Sequence, residues 1–450
     1  MMNSSDKPLS VAIIGGGIAG LTLTIGLLKH APHIHITLYE SAAAFGEIGA
    51  GVGFESVMVR TMARIDARIA QAFKKCNLGN TVTEPPRWFT VRIGDERKVI
   101  HDSQDKVILE RGSNGNPIRL GEELFVMPAR PGPRGGVHRA QFLDELVKLV
   151  PDGIAQFNKR LLNVTEAADG SGDAVLHFAD GTTARHTAVM GCDGIKSRTR
   201  ALVLGDSNAS AAATFTGKYA YRGLIPMDKA VEIMGSDEPR MPQMYVGYHG
   251  HVLTFPIANG TIMNVVAFSS RPTWTDSKWV VQTSHEDMLE DYKHWIPEVR
   301  AIMANVQSPD IWALFNHLPA PTYFCIKPLI CLVGDAAHAS TPHQGAGAGM
   351  CIEDVYILSG LLSQCKSKSD VEKAIHAYDV TRRPRSQKLV KTSREAGMLW
   401  DLEAEGIQDD LLAMEQNALE RMGWIWDYDI TQDLDRARGM MREPMPELGW

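Results

Sequence analysis

The sequence predicts an α/β fold: a parallel-stranded, Rossmann-like domain, a sheet-rich domain inserted into it, and a helical carboxyl-terminal region. Three observations predict it. Residues 11–40 read as strand, glycine turn, helix, strand and a terminal acid, and residues 328–362 return to the strand, glycine turn and helix pattern. Between them, short alternating runs such as WFTVRI, YAYRGLIPM and QMYVGYHGHVLTFPI have the two-residue period of half-buried strands.

Val11 to Ile14 form a short β-branched run, and Gly15, Gly17 and Gly20 follow at GxGxxG spacing before a helical pattern. Gly15 suits the tight turn, Gly17 presents no Cβ to a pyrophosphate, and Gly20 lets the helix lie close to the strand. The helix N-terminus offers unpaired N–H groups to the anion. A second strand, His35 to Tyr39, ends at Glu40, where a carboxylate would accept both ribose hydroxyls and repel a 2′-phosphate. This stretch predicts a dinucleotide site without saying which dinucleotide.

Downstream, Ala42 to Phe54 is rich in small residues and places Glu47 between glycine turns. Val57, Val59, Met62, Ile65, Ile69 and Phe73 then recur at helical spacing. Short strands WFTVRI and KVIHD follow, with a Gly/Asn-rich stretch at 112–121. A helix returns over Val137 to Pro151 with Arg139 in its first turn. A strand pair around a turn leads into GCDGIKSRTR, which puts Asp193 and Gly194 at a strand end. Residues 210–320 alternate strands and loops before a helical stretch from His285 to Asn305. The strand ending at Val333 places Gly334 and Asp335 where open α/β sheets bind ligands. Pro342, His343 and the GAGAG run Gly345 to Gly349 then lead into a helix carrying Glu353 and Asp354. The last ninety residues are mostly helical, and Arg382, Arg383 and Arg385 suit a solvated or ion-paired helix face. The predicted division is 1–84, 128–205 and 325–362 for the nucleotide domain, 85–127 and 206–324 for the substrate domain, and 363–450 for the helical region.

With 450 residues, 44% hydrophobic and 22% charged, the composition is that of a globular protein with a large core. A net charge of −7 gives no footprint for nucleic acid or an anionic membrane surface. The amino terminus lacks the basic and apolar regions of a signal peptide, and glycines interrupt the apolar run 11–28. The expectation is therefore a cytoplasmic protein without a membrane span. Six cysteines without CxxC spacing suit reduced, buried thiols and no metal.

Together, GxGxxG with Glu40, CDGIKS and LVGDAAHASTPHQGAG resemble, in order and spacing, the flavoprotein monooxygenases that hydroxylate aromatic rings. PHQGAGAG with IED, RRPRS, SREAGMLWDLE and WIWDYD is most similar to salicylate hydroxylases. Fungal enzymes that hydroxylate or dearomatise polyketide phenols share much of it, including YRGLI at 221–225. The resemblance implies FAD, with Gly15, Gly17, Ala19, Gly20 and Glu40 at its ADP half and Arg139 on its linking chain. It further implies Asp335 at the pyrophosphate or ribityl region, and Asp193 near FAD and a transient NADH or NADPH.

FAD carries the redox chemistry, and the protein supplies orientation, electrostatics and dryness. Backbone amides from Gly345, Ala346, Gly347, Ala348 and Gly349 could stabilise negative charge on reduced flavin, with Pro342 stiffening the approach. His343 is the expected base for the phenol, Arg222 the expected partner of a carboxylate or phenolate, and His338 a packing residue. Trp88, Tyr221, Met244 and Phe255 are candidate walls, with Phe255 standing where dearomatising relatives carry a tyrosine. The expected partners are a small phenol or phenolic acid and O2, in a monomer or homodimer. The leading expectation is salicylate to catechol with loss of CO2. Hydroxylation or dearomatisation of a larger phenol is the alternative in the same class, and a flavin protein without monooxygenation is the alternative outside it.

Overall fold

The computed structural model describes residues 8–46, 51–77, 86–97, 120–235, 238–307 and 309–445, with backbone strands also at Ile100–His101 and Val107–Ile108. Glu47 and the stretch 112–119 lie outside the described residues.

The first sheet runs in the order Phe324–Ile326, Leu329–Leu332, Ala188–Gly191, Ser10–Ile14, His35–Tyr39, Ala155–Gln156. All its pairings are parallel except the Phe324–Ile326 edge. Val11 faces both Ala188 and Ile36, and Val189 faces Ile330, so three segments remote in sequence end side by side. The Cys192 N–H donates to Ile14 O at 2.8 Å and the Val333 N–H to Gly191 O at 2.9 Å, which aligns those ends. Val11, Ile13, Val189 and Leu332 are fully buried, as parallel strands covered on both faces require. Helices Ile18–His30 and Gly347–Leu362 cover one face and pack closely, since a Cβ at Gly26 would come within 3.3 Å of Ser359. The three-stranded sheet Leu161–Glu166, Ala174–Phe178, Thr183–His186 covers the other, where Ile14, Val189 and Ile330 meet Leu161, Leu176 and Phe178.

The second sheet has eight strands in the order Val280–Gln282, Asp310–His317, Ala213–Pro226, Ile262–Ser270, Gly250–Ile257, Gln243–Gly247, Arg87–Ile93, Glu123–Pro128. The two early strands thus complete a sheet built mainly from residues after 213. Its outer face carries Tyr219, Tyr221 and Tyr245, which meet Tyr292 and Trp295 from the covering layer that helices His285–Asp291 and Pro297–Ala304 form. The single helix expected over 285–305 is therefore two. Pro297 opens the second at its first position, where a missing N–H costs nothing, and Trp295 in the break pairs with Asp95.

The carboxyl-terminal region is helical. Lys368–Trp400 starts at a capping box in which Ser367 Oγ accepts from the Asp370 N–H while the Asp370 carboxylate accepts from the Ser367 N–H. The arginine cluster on this helix is not solvated: Arg382 is wholly buried and Arg385 nearly so, because each meets an acid on Gly347–Leu362. The six cysteines are unpaired and all but Cys325 are buried. Among the described residues no helix is long and apolar enough to cross a membrane.

Candidate active site

The parallel strands end on one edge of a cavity of about 430 Å3, and the inner face of the eight-stranded sheet forms its floor. At Gly15 φ is +102°, and a Cβ there would lie 2.5 Å from Cys192 O in the neighbouring strand exit. A Cβ at Gly20 would fall 1.9 Å from Gly15 O. These two glycines let turn, helix and strand close on one another. Gly17 differs, since a Cβ there would meet nothing within 4 Å and would project into the cavity beside Ala19. That open cradle at the N-terminus of a long helix fits a pyrophosphate. Glu40 accepts the Gly16 N–H on Oε2 and the Ala42 N–H on Oε1, each at 2.7 Å, with Ser41 Oγ donating to Oε1 at 3.1 Å, so Oε2 retains a lone pair for a ribose hydroxyl.

Arg139 and Asp335 also line the cavity, and Gly334, at φ +62°, leaves room for Ala19, whose Cβ would lie 3.2 Å from a Cβ added at that position. Buried Arg200 holds that turn from beneath, donating to Ala336 O at 3.1 Å and Ala337 O at 2.6 Å. Asp193 stands between two cavity-lining residues, with its carboxylate committed to the chain itself. Its carboxylate accepts from Ser197 Oγ and Thr199 Oγ1, both at 2.6 Å, and from the Thr199 N–H, so it organises the start of helix Arg198–Leu204. The two lining residues are Cys192 and Gly194.

Pro342–Gln344 form a single 3-10 turn, and Gly345 to Ala348 line the cavity at the start of helix Gly347–Leu362. Gly349 does not line it. Its missing Cβ leaves room for Met58, whose Sδ would otherwise be 2.2 Å away, so it serves the crossing of two helices.

On the floor, Met244, Leu253, Val266 and Arg222 form one row of cross-strand partners, and all four line the cavity. The next row brings Phe255 beside Asn264, and Trp88 closes one side. Tyr221 is not on this face. Strand side chains alternate, so a strand that sends Arg222 inward sends Tyr221 outward, where its hydroxyl donates to Asp291 at 2.8 Å. The same period, followed back from Phe255 through Leu253, reaches His251, which also lines the cavity and did not figure among the expected site residues.

Arg222 is largely enclosed, lies 4.7 Å from the Trp312 ring centroid and has an Nε–H without a partner. It has no acidic partner among the described residues, and burial, then nearby Arg139, lowers its pKa. The carboxylates in the cavity wall are Asp335 and Glu55, and burial pushes Glu55 up to about 7. His343 is buried with Nδ1 unpartnered, its ring 4.8 Å from Phe268 and 5.1 Å from His251. Burial first, and His251 second, push it down to about 3. His343 therefore stands in the cavity wall as a neutral imidazole with a free ring nitrogen.

Fold and cavity thus define a dinucleotide-dependent protein with an apolar, cationic chamber where the ring end of the cofactor would lie. Comparison with known proteins narrows this. The family described as FAD binding domain matches residues 256–393. The FAD-dependent monooxygenase orf3 of Aspergillus niger is 38% identical over 98% of this chain and 96% of its own. A salicylate hydroxylase of Pseudomonas putida is 36% identical over 100% of this chain and 98% of its own. A solved structure described as a salicylate hydroxylase substrate complex superposes with a TM-score of 0.78 at 33% identity, covering 96% of this chain and 98% of that one. The chain belongs to the FAD-dependent monooxygenases, as the resemblance implied.

The cradle gives a direct test. Gly17→Val will fold, because the added carbons enter open space, but will purify without flavin; full flavin absorbance per protein would refute the placement.

Proposed function

We propose that the protein hydroxylates a phenolic acid, salicylate in the first instance, at its carboxylated ring carbon, using FAD, NAD(P)H and O2 and releasing CO2 to give catechol. Arg222 carries this reading. A largely enclosed guanidinium with an unsatisfied donor and no acid paired with it among the described residues is a costly arrangement that an anionic ligand relieves. A carboxylate beside a phenol supplies that anion. Support also comes from the names of the relatives, two of which describe salicylate hydroxylases.

Bound FAD supplies hydride acceptance and oxygen activation. The chain contributes the rest: Arg222 orients the acid, Met244, Leu253, Phe255 and Trp88 exclude water, and neutral His343 offers Nδ1 for a hydrogen bond. Amides at the start of Gly347–Leu362 face negative charge as it develops.

The test is product analysis with salicylate and NADH or NADPH under air. Substrate-dependent O2 uptake with catechol formation is expected; NAD(P)H oxidation unaffected by salicylate would remove this substrate. A second reading, hydroxylation or dearomatisation of a larger phenol, has support in the similarity to the Aspergillus niger monooxygenase. Products that gain one oxygen and keep their carbon would favour it.

A further inference from the structure

Resting on the reading of the cavity as a phenol site, we infer that His251, Asp401, Lys218 and Glu403 form a proton path from the substrate hydroxyl to solvent at His249. His251 lines the cavity, and its Nδ1 lies 2.7 Å from Asp401 Oδ1. Asp401 Oδ2 is in ion-pair contact with Lys218 Nζ at 2.6 Å, without the alignment of a hydrogen bond, and Lys218 Nζ donates to Glu403 Oε2 at 2.7 Å. Glu403 Oε1 is 2.6 Å from Nδ1 of His249, whose side chain is 66% exposed. No step in this chain exceeds 2.7 Å, and it runs from the cavity to water through alternating acids and bases.

A structural tie between sheet and helix end would need one ion pair, and burying more charge than that is expensive. Here Asp401 is wholly buried and Lys218 nearly so, yet the series continues to the surface. Its geometry is fixed from several sides. Ser270 Oγ accepts from Lys218 Nζ at 2.6 Å and donates to His249 O at 2.7 Å, while the His249 N–H donates to Asp401 O at 3.1 Å. The His251 ring stacks on Phe268 at 4.2 Å. Burial would raise the Asp401 carboxyl, but His251 and Lys218 outweigh it and hold the group below its usual range. The other ionisable groups facing the path are His343, across from His251, and Tyr292, whose hydroxyl is committed to Phe268 O.

The transfer balances without electrons or a co-reactant. The phenol O–H breaks as its proton joins His251 Nε2, and the Nδ1 proton passes to Asp401. Lys218 gives one proton to Glu403 and recovers one from Asp401, and Glu403 releases its proton to His249 or water. One proton leaves the cavity and a phenolate remains beside Arg222. Asp401 is a positioning and relay group, since it reaches the substrate only through His251.

The test uses FAD-loaded protein rapidly mixed with a nitrosalicylate, whose phenolate is coloured, in weak buffer containing a pH indicator. The flavin spectrum reports binding, the phenolate band deprotonation and the dye proton release. In the unaltered protein all three should rise together. Asp401→Asn and Glu403→Gln should bind the probe with nearly unchanged affinity but release the proton about a hundredfold more slowly, and added imidazole should restore the rate. Glu403 is partly exposed, so Glu403→Gln should fold even if Asp401→Asn does not. Release at the unaltered rate in Glu403→Gln overturns the path while leaving the phenol site standing. Failure of the nitrosalicylate to perturb the flavin spectrum overturns both.

Discussion

Arg222→Met will keep its flavin and its fold and will lose about a hundredfold in kcat/KM for a carboxylated phenol, because a buried charge-assisted contact is worth about 3 kcal/mol. The variant should unfold no more easily than the parent. Met retains an unbranched stem to lie over Trp312, and the substitution removes an enclosed cation that no acid among the described residues compensates. This combination separates a ligand-binding arginine from a structural one, for which activity and stability would fall together. A Lys at this position would keep the charge but not the flat guanidinium, so Arg222→Lys should recover only part of the rate. Thermal unfolding and steady-state kinetics on the same preparations decide the matter. A lower melting point with unchanged kcat/KM would show that Arg222 serves the sheet, and would withdraw the main support for an anionic substrate.

Arg222 was legible because it stands in a strand that otherwise reads as apolar and aromatic. Its neighbour Tyr221 was misplaced because two adjacent strand residues cannot share a face, a constraint that the sequence itself carried. The same alternation, run back from Phe255, would have found His251. Its partners Asp401, Lys218 and Glu403 could not be found that way, since they come from another strand and from beyond the end of the last long helix. The parallel sheet and its glycine turn were legible from period and spacing alone, as backbone conformation there admits few residue types. Glycines were read correctly as needing space, but not always as space for what: Gly17 opens to the cavity, whereas Gly349 admits Met58. Asp193 illustrates a similar limit. A carboxylate at a strand end can meet a ligand or cap the next helix, and Ser197 and Thr199, in place to bond it, were the available hint.

The arginines after residue 380 bear on the site from a distance, and Arg382→Met should be the most damaging single change outside the cavity. Asp354, wholly buried, accepts from Arg382 Nε at 2.9 Å, is paired with His338 Nε2 at 2.5 Å, and accepts the Gly334 N–H at 3.1 Å. That last bond fixes the turn on which Asp335 stands. Glu353 beside it is held by Arg382 at 2.8 Å and by Arg385 at 2.8 and 2.9 Å. Removing Arg382 leaves Glu353 with a partner but deprives Asp354 of its guanidinium, and breaking a buried pair from one side costs about 3–5 kcal/mol. The damage should therefore appear twice, as a lower melting temperature and as weaker flavin retention, because the Asp354 carboxylate that anchors the Gly334 turn loses the guanidinium that positions it. Replacing Asp354 by Asn in the same chain removes the stranded charge while keeping an oxygen for the Gly334 N–H. Arg382→Met with Asp354→Asn should consequently be more stable than Arg382→Met alone, a non-additivity expected only if the two side chains act as one unit. Independent, additive losses would mean that the pair does not hold the turn.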